Sequence, residues 1–292
     1  MLSKKITLIA ALLLFCSGAI SCQSTKYYVL KINTPTPKPI GETLKVVTYN
    51  IANARGNTDD FFYQTTEEII RYNLDWIVKG LRLQNPDVIC LNEVDFNSIR
   101  TFNIDQAMYI AKALSYKYII KETIFSIPSV LQMGNVVLSK YPMKVNFHRQ
   151  FGYGFAGRME HVFKSFVDFD VLLDNSGHKL NFVLTHLDAA DDDRKRCDEI
   201  SILRAYLEKK TQPFVFLGDM NSGPGEKCFD NLFKWGLIGS PEPLLPTYPS
   251  DTPKRSIDHI LVSKGLGIKN YRAIAGIGAS DHLPVAGDII LK

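Results

Sequence analysis

The chain has 292 residues, of which 46% are hydrophobic, 22% charged and 11% aromatic, a composition that excludes a disordered or fibrous protein. Its formal net charge of +4 is too small to generate the positive field of a polybasic nucleic-acid binder. A chain of this length buries roughly 75% of the surface its unfolded form exposes, so any metal it carries serves chemistry rather than folding.

Residues 1–21 place Lys4 and Lys5 before an apolar run at 6–15, followed by Gly18, Ala19 and Ser21. This is the layout of a secretory signal, and the run is shorter than the about 20 apolar residues that span a bilayer. Ala19-Ile20-Ser21-Cys22 resembles the bacterial lipoprotein box, in which Cys22 is lipidated and becomes the new N-terminus; an ordinary cleaved signal and an uncleaved anchor are the competing readings. The resemblance implies an exported protein of the cell envelope, attached to a membrane by lipid. With no acidic retention signal in Gln23-Ser24, it implies the outer membrane of a Gram-negative bacterium. Loss of Lys4 and Lys5 lowers the charge balance from +4 to +2. Residues 22–43, with Thr34-Pro35-Thr36-Pro37-Lys38-Pro39, read as the lipidated cysteine and an extended tether.

Residues 44–292 show no repeat or second linker and are expected to form one domain. Strand-forming runs recur at 44–49, 88–91, 117–122, 135–139, 161–173, 181–185, 214–217, 257–262 and 285–291. Ile70, Leu74, Ile77, Val78 and Leu81 share one face of a helix over 67–83, with Thr65 and Glu68 as its capping box. Further helices are expected over 194–209, behind Asp191-Asp192-Asp193, and over 226–235. Asp174-Asn175-Ser176-Gly177 between two strand runs predicts an antiparallel hairpin over 161–186, hence a mixed sheet rather than a purely parallel one.

Several motifs lack the context that chemistry needs. Gly152-Tyr153-Gly154-Phe155-Ala156-Gly157 matches GxGxxG, but a strand run rather than a helix follows it, so it reads as a loop. The sequence contains no GxSxG, HExxH or P-loop pattern. Cys90 lies in an apolar run and reads as an inert buried thiol; Cys197 and Cys228 are free to pair after export.

Polar residues at the ends of apolar runs carry the chemistry. They are Asn50 after Val47-Thr48-Tyr49, Glu93 after Ile89-Cys90-Leu91-Asn92, His186 after Val183-Leu184-Thr185, and Asp219 with Asn221 after Phe216-Leu217-Gly218. The last are Asp258 in Ser256-Ile257-Asp258-His259 and the pair Asp281 and His282. Each alone is explained by a turn or a strand end; five repeats of one pattern point to a shared site. The motifs TYNI at 48–51, LNEVD at 91–95, GNVVLSKYP at 134–142, THL at 185–187, GDMNSGPGE at 218–226, IDHI at 257–260 and SDHLP at 280–284 follow one another in the chain. In this order they resemble the endonuclease/exonuclease/phosphatase superfamily over residues 44–292. Asn92 departs from the glutamine that many members place before the glutamate.

The resemblance implies an α/β fold, a four-layer sandwich of two mixed, mostly antiparallel sheets packed face to face with helices outside. The clustered carboxylates need a cation before a phosphate approaches, and their hard oxygens favour Mg²⁺ or Mn²⁺, with Ca²⁺ also compatible. By resemblance, Glu93 is the principal metal ligand with Asn50, and Asp281 serves directly or at a second metal position. Asp219, its carboxyl raised by its neighbours, orients and deprotonates the attacking water. Asn221 and His186 contact the phosphoryl group, Asp258 holds His282, and Arg158 is a candidate phosphate contact. His259, next to Asp258 on a strand, faces the other way.

The implied activity is metal-dependent hydrolysis of a phosphate ester, phosphodiesters ahead of monoesters, by a monomer. Nucleic acid, a phospholipid head group, an inositol phosphate and a small phosphodiester are all open as substrate. A non-catalytic surface-binding lipoprotein is the alternative, and lost ligands would be its signature.

Overall fold

The computed structural model describes residues 24–31, 41–57, 65–152, 164–174, 176–190, 193–235, 238–239 and 243–291. Its strands in chain order are β1 (Ser24–Val29), β2 (Thr43–Asn50), β3 (Val88–Asp95), β4 (Tyr118–Ile127), β5 (Leu131–Ser139), β6 (Met143–Gln150), β7 (Ser165–Leu172), β8 (Lys179–His186), β9 (Phe214–Asp219), β10 (Ile238–Gly239), β11 (Asp258–Ser263), β12 (Gly267–Ala273) and β13 (Val285–Ile290). The α-helices are α1 (Glu67–Gln84), α2 (Gln106–Leu114), α3 (Arg194–Leu207) and α4 (Lys227–Lys234).

Seven strands form one sheet in the order β1-β4-β5-β3-β2-β13-β12, and six form the other in the order β10-β11-β9-β8-β7-β6. The pairs β2–β3 and β8–β9 are parallel, and the remaining neighbours in these sheets are antiparallel. The central strands are apolar on both faces because each sheet is covered twice. Leu44, Val46 and Cys90 meet Phe169, Phe182 and Leu217 between the sheets. Val47, Ile89 and Leu138 pack outward against Ile70, Leu74 and Ile110 of α1 and α2. Phe166, Val183 and Phe216 pack outward against Leu203, Leu207 and Phe229 of α3 and α4. The result is the expected four-layer sandwich. Each fully buried Leu, Ile or Phe contributes about 1.5–3 kcal/mol, which makes these three clusters the main source of stability.

The expected hairpin is β7–β8, in register from Ser165↔His186 to Leu172↔Lys179. The cap of α1 lies one residue later than expected. Thr66 has the extended backbone of an N-cap, and its side chain accepts from the Ile69 N–H at 3.3 Å. Cys197 and Cys228 pair and join α3 to α4; Cys90 is buried, its thiol pushed up by burial.

Within the expected tether, Ser24–Val29 is extended but not free. It pairs antiparallel with β4 as an edge strand, and Tyr27 stacks on Tyr118, because Thr25, Tyr27, Tyr28 and Val29 favour a strand before the prolines begin. Residues 1–23 with Cys22, most of the glycine motif and Arg158 lie outside the described residues. Among the described residues no helix is long and apolar enough to cross a membrane.

Candidate active site

Strand alternation decides which side chains reach the space between the sheets. In β2, Leu44 and Val46 face that space and Asn50 continues their parity. In β8, Phe182 and Leu184 lead to His186; in β9, Val215 and Leu217 lead to Asp219; in β11, Asp258 shares the face of Ile260 and Val262. Glu93 departs from the rule. Parity would send it with Ile89 and Leu91 toward the helices, but a register shift between Leu91 and Val94, with a left-handed φ of +52° at Glu93, turns it back into the cleft. Gly218 (φ +129°) precedes Asp219 because a Cβ there would lie 2.0 Å from the Thr185 carbonyl oxygen. Asp258 stands opposite Asp219 in register, and Asp281 and His282 come from the loop before β13.

The side chains converge on Asp219. Asn50 Nδ2 donates to Asp219 Oδ2 at 2.9 Å and to Glu93 Oε1 at 3.3 Å, and its Oδ1 accepts from the Ala52 N–H at 3.0 Å. Asn221 donates its backbone N–H to Asp219 Oδ1 at 2.9 Å and its amide to the Leu187 carbonyl at 2.9 Å. His282 Nδ1 donates to Asp258 Oδ2 at 2.8 Å, which also accepts from Thr247 Oγ1 at 2.6 Å, and His282 Nε2 faces Asp219 Oδ2 at 3.9 Å. His186 Nε2 lies 3.4 Å from Asp219 Oδ2 and 3.8 Å from Glu93 Oε1. Asn50, Glu93, His186, Asp219, Asn221, Asp258, Asp281 and His282 thus line one cleft. His259 lies on the opposite face, where Nε2 bonds the Ser222 carbonyl, the ring packs on Phe229, and burial lowers its pKa to about 4.

The electrostatics overturn one expectation. Burial alone would raise the Asp219 carboxyl, but the His282 imidazolium and the His186–Lys164 pair outweigh it and hold Asp219 well below the carboxylate range. Burial works the same way on Glu93, and there His186, Lys164 and Arg55 outweigh it, so Glu93 is also low. The raised carboxyls are Asp258 and Asp281, both lifted chiefly by burial. His282, despite a burial that works against its charge, is raised to about 10 by Asp258 and Asp219.

Three contributors, Lys164, Thr247 and Arg55, escape the sequence reading, and a fourth, Asn92, is noted there without a role. Lys164, just before β7, places Nζ 2.6 Å from His186 Nε2, the nitrogen that faces Asp219 and Glu93. Asn92 ties the sheets together: Nδ2 donates to Asn135 Oδ1 at 2.8 Å and to the Thr185 carbonyl at 3.1 Å, while Oδ1 accepts from the Asp219 N–H at 3.0 Å. Thr247 fixes Asp258 from a loop. Arg55 follows Ala52, Asn53 and Ala54, three consecutive residues at φ +45°, +54° and +58°, a conformation that costs each of the two alanines about 1–2 kcal/mol. The turn places Arg55 Nη2 3.2 Å from Asp281 Oδ2 and Nη1 4.0 Å from Glu93 Oε2. Asn92 lies in the LNEVD motif, whereas the other three have no motif of their own; strand register, a loop and a backbone turn bring them in.

Among the described residues, Asp219, Asp258 and His282 hold three ligand atoms within 4.8 Å of one another, a group able to bind a metal. Asp258 Oδ2 is already shared by His282 and Thr247, which favours an imidazole–carboxylate pair there. Glu93, at 22% side-chain exposure, is more open than Asp219 at 1% or Asp281 at 6%. Asn50 beside it turns Nδ2 toward Glu93 because its Oδ1 is taken by the Ala52 N–H, so the hard oxygens offered to Mg²⁺ or Mn²⁺ are those of the carboxylates.

Solved structures share this architecture. An endonuclease/exonuclease/phosphatase from Beutenbergia cavernae superposes with TM-score 0.61 at 20% identity, covering 86% of this chain and 72% of that one. A mannosyl-6-phosphatase from Bacteroides thetaiotaomicron gives 0.62 at 16% identity, over 85% of this chain and 100% of that one. The human Nocturnin catalytic domain gives 0.61 at 17% identity, over 92% of this chain and 98% of that one. No curated protein matches in sequence. At these identities the likeness shows the fold, which is deoxyribonuclease I-like. Residues 47–282, which hold every site residue from Asn50 to His282, match the Endonuclease/Exonuclease/phosphatase family, and the chain belongs to it.

Proposed function

We propose that this cleft hydrolyses phosphate esters with a divalent cation and prefers phosphodiesters to monoesters. The family acts on phosphate esters. The observation that carries the proposal is the convergence on Asp219 of Asn50 and His282 from the side of the seven-stranded sheet and of Asn221 and His186 from the six-stranded one, beside the open Glu93.

A Mg²⁺ or Mn²⁺ ion held by Glu93, whose carboxylate Asn50 positions, would neutralise charge on a phosphoryl oxygen. Asp219, ionised and fixed by two amides, orients the attacking water; its low pKa makes it an aligning acceptor rather than a strong base. Asn221 and the Lys164 ammonium, braced by His186, donate to the phosphoryl oxygens. His282, cationic through Asp258, stabilises the developing charge or protonates the leaving oxygen.

The preference for diesters rests on charge. Glu93, Asp219, Asp258 and Asp281 face Arg55, Lys164 and His282, so one divalent ion leaves a small positive excess, matched to the single charge of a diester. Purified protein with Mn²⁺ should hydrolyse a chromogenic diester faster than the corresponding monoester; the reverse order contradicts the preference, and no turnover of either contradicts the activity.

Export and a lipid anchor at Cys22 belong to the same proposal. The Cys197–Cys228 disulfide supports export, because such bonds persist in oxidising compartments. Cys22→Ala should move the protein from the membrane fraction to the soluble one; an unchanged distribution excludes the anchor.

A further inference from the structure

Arg55 is a cleft cation placed by a strained backbone, and the left-handed turn before it is fixed from several sides. Gln106 Nε2 donates to the Asn53 carbonyl at 2.6 Å and Asn73 Nδ2 to the Ala54 carbonyl at 2.8 Å. Asn53 Nδ2 donates to the Glu93 carbonyl at 2.9 Å and to Asp95 Oδ1 at 3.3 Å. Asp95 is itself held by Arg100 and Thr101. A backbone that three buried amides hold in a costly conformation is over-determined, and strain of this kind accumulates where a group must be aimed.

What the turn aims is a guanidinium. It lies between the carboxylates of Glu93 and Asp281, at 4.0 and 3.2 Å, and its side chain is 12% exposed. These two carboxylates come from separate elements and would otherwise repel each other. Asp281 is also the residue that the family resemblance offers for a second metal position. Arginine keeps its charge at any working pH, and its planar fork serves two carboxylates at once.

We propose that Arg55 is an internal cation standing in place of a second metal, so that the cleft takes one divalent ion, at Glu93, and Asp281 is a partner of Arg55 rather than a metal ligand. This rests on the metal-dependent reading above and extends it. Arg55 is a positioning residue here: it sets the spacing of two carboxylates and the number of ions they accept.

The test counts Mn²⁺ ions bound to the purified protein by equilibrium dialysis with electron paramagnetic resonance. The wild type and Arg55→Lys should bind one ion, and Arg55→Met should bind two. Asp281→Asn in the wild-type background should leave the count at one, with affinity within about twofold, whereas loss of a true ligand weakens binding about tenfold or more. Adding Asp281→Asn to Arg55→Met should remove the second ion. Two ions on the wild type, one on folded Arg55→Met, or tenfold weaker binding in Asp281→Asn would overturn the proposal. If Arg55→Met does not fold, the wild-type count and Asp281→Asn decide it. No bound ion on the wild type would instead sink the metal-dependent reading, and this inference with it.

Discussion

Asp168 and Asp219 lie two strands apart in the same sheet, on β7 and β9, and both are sealed from water at 0% and 1% exposure. Asp168 faces outward under α3, where it accepts from Asn146 Nδ2 at 2.9 Å, Asn181 Nδ2 at 2.7 Å, the Tyr206 hydroxyl at 2.8 Å and the Lys210 ammonium. Its partners are complete, and it sits in mid-strand opposite Val183. Asp219 faces inward at a strand end, beside two histidines and next to carboxylates that outnumber the fixed cations. Burial and pairing are therefore common to both. What separates them is the incomplete neutralisation of a cluster that opens to solvent through Glu93.

The largest effect expected from this contrast is on rate. Asp219→Ala should lower kcat on the order of 10³-fold with the fold intact by circular dichroism, since the acceptor that orients the nucleophile is gone. Asp168→Ala should do the opposite. It leaves Lys210 facing a site without its carboxylate, costing about 4 kcal/mol in urea unfolding while kcat of the remaining folded enzyme changes little. Equal losses of kcat in both variants would erase the distinction.

Asn92 belongs to both categories, because its side chain closes buried hydrogen bonds and also holds the Asp219 N–H. Asn92→Ala should cost about 2–3 kcal/mol and lower kcat about tenfold; a stability loss with unchanged kcat would make it a structural clamp alone. Glu122 is a third buried carboxylate. It accepts from Asn135 at 2.9 Å and Ser165 at 3.0 Å, one of its oxygens lacks a hydrogen bond, and burial raises it from 4.5 to about 7. The folded state therefore holds this proton more tightly than the unfolded chain, and stability falls as pH rises from about 4.5 through 7. Glu122→Gln should recover about 3 kcal/mol at pH 8 and nothing at pH 4, read as a difference in Tm that grows with pH; a constant difference would contradict the assignment.

The sandwich is legible in the sequence where apolar runs and periodicity are strong, as in β2, β9 and α1. β12 is not, because its Gly267–Ala273 stretch is an edge strand with no buried residue. α2 does carry a local signal, the Asp105 cap that accepts from the Met108 N–H, but its nine residues are too few for periodicity alone to mark it. The motif residues from Asn50 to His282 are legible because each lies at or beside a strand end. Arg55 and Lys164 are not, because a left-handed turn and a strand-entry residue carry no pattern of their own. The direction of the Asp219 shift is hidden for a related reason: the carboxylates can be counted along the chain, whereas the cations facing them depend on the register of two sheets.

Diester hydrolysis by the purified wild type and Asp219→Ala, each stripped of metal by chelation and then resupplied with Mn²⁺, decides whether the cleft works as derived. The wild type should be inactive when stripped and recover on resupply, and Asp219→Ala should remain on the order of 10³-fold slower than the resupplied wild type under both conditions. Full activity without metal, or equal rates for the two proteins with it, would contradict a metal-assisted phosphoesterase centred on Asp219.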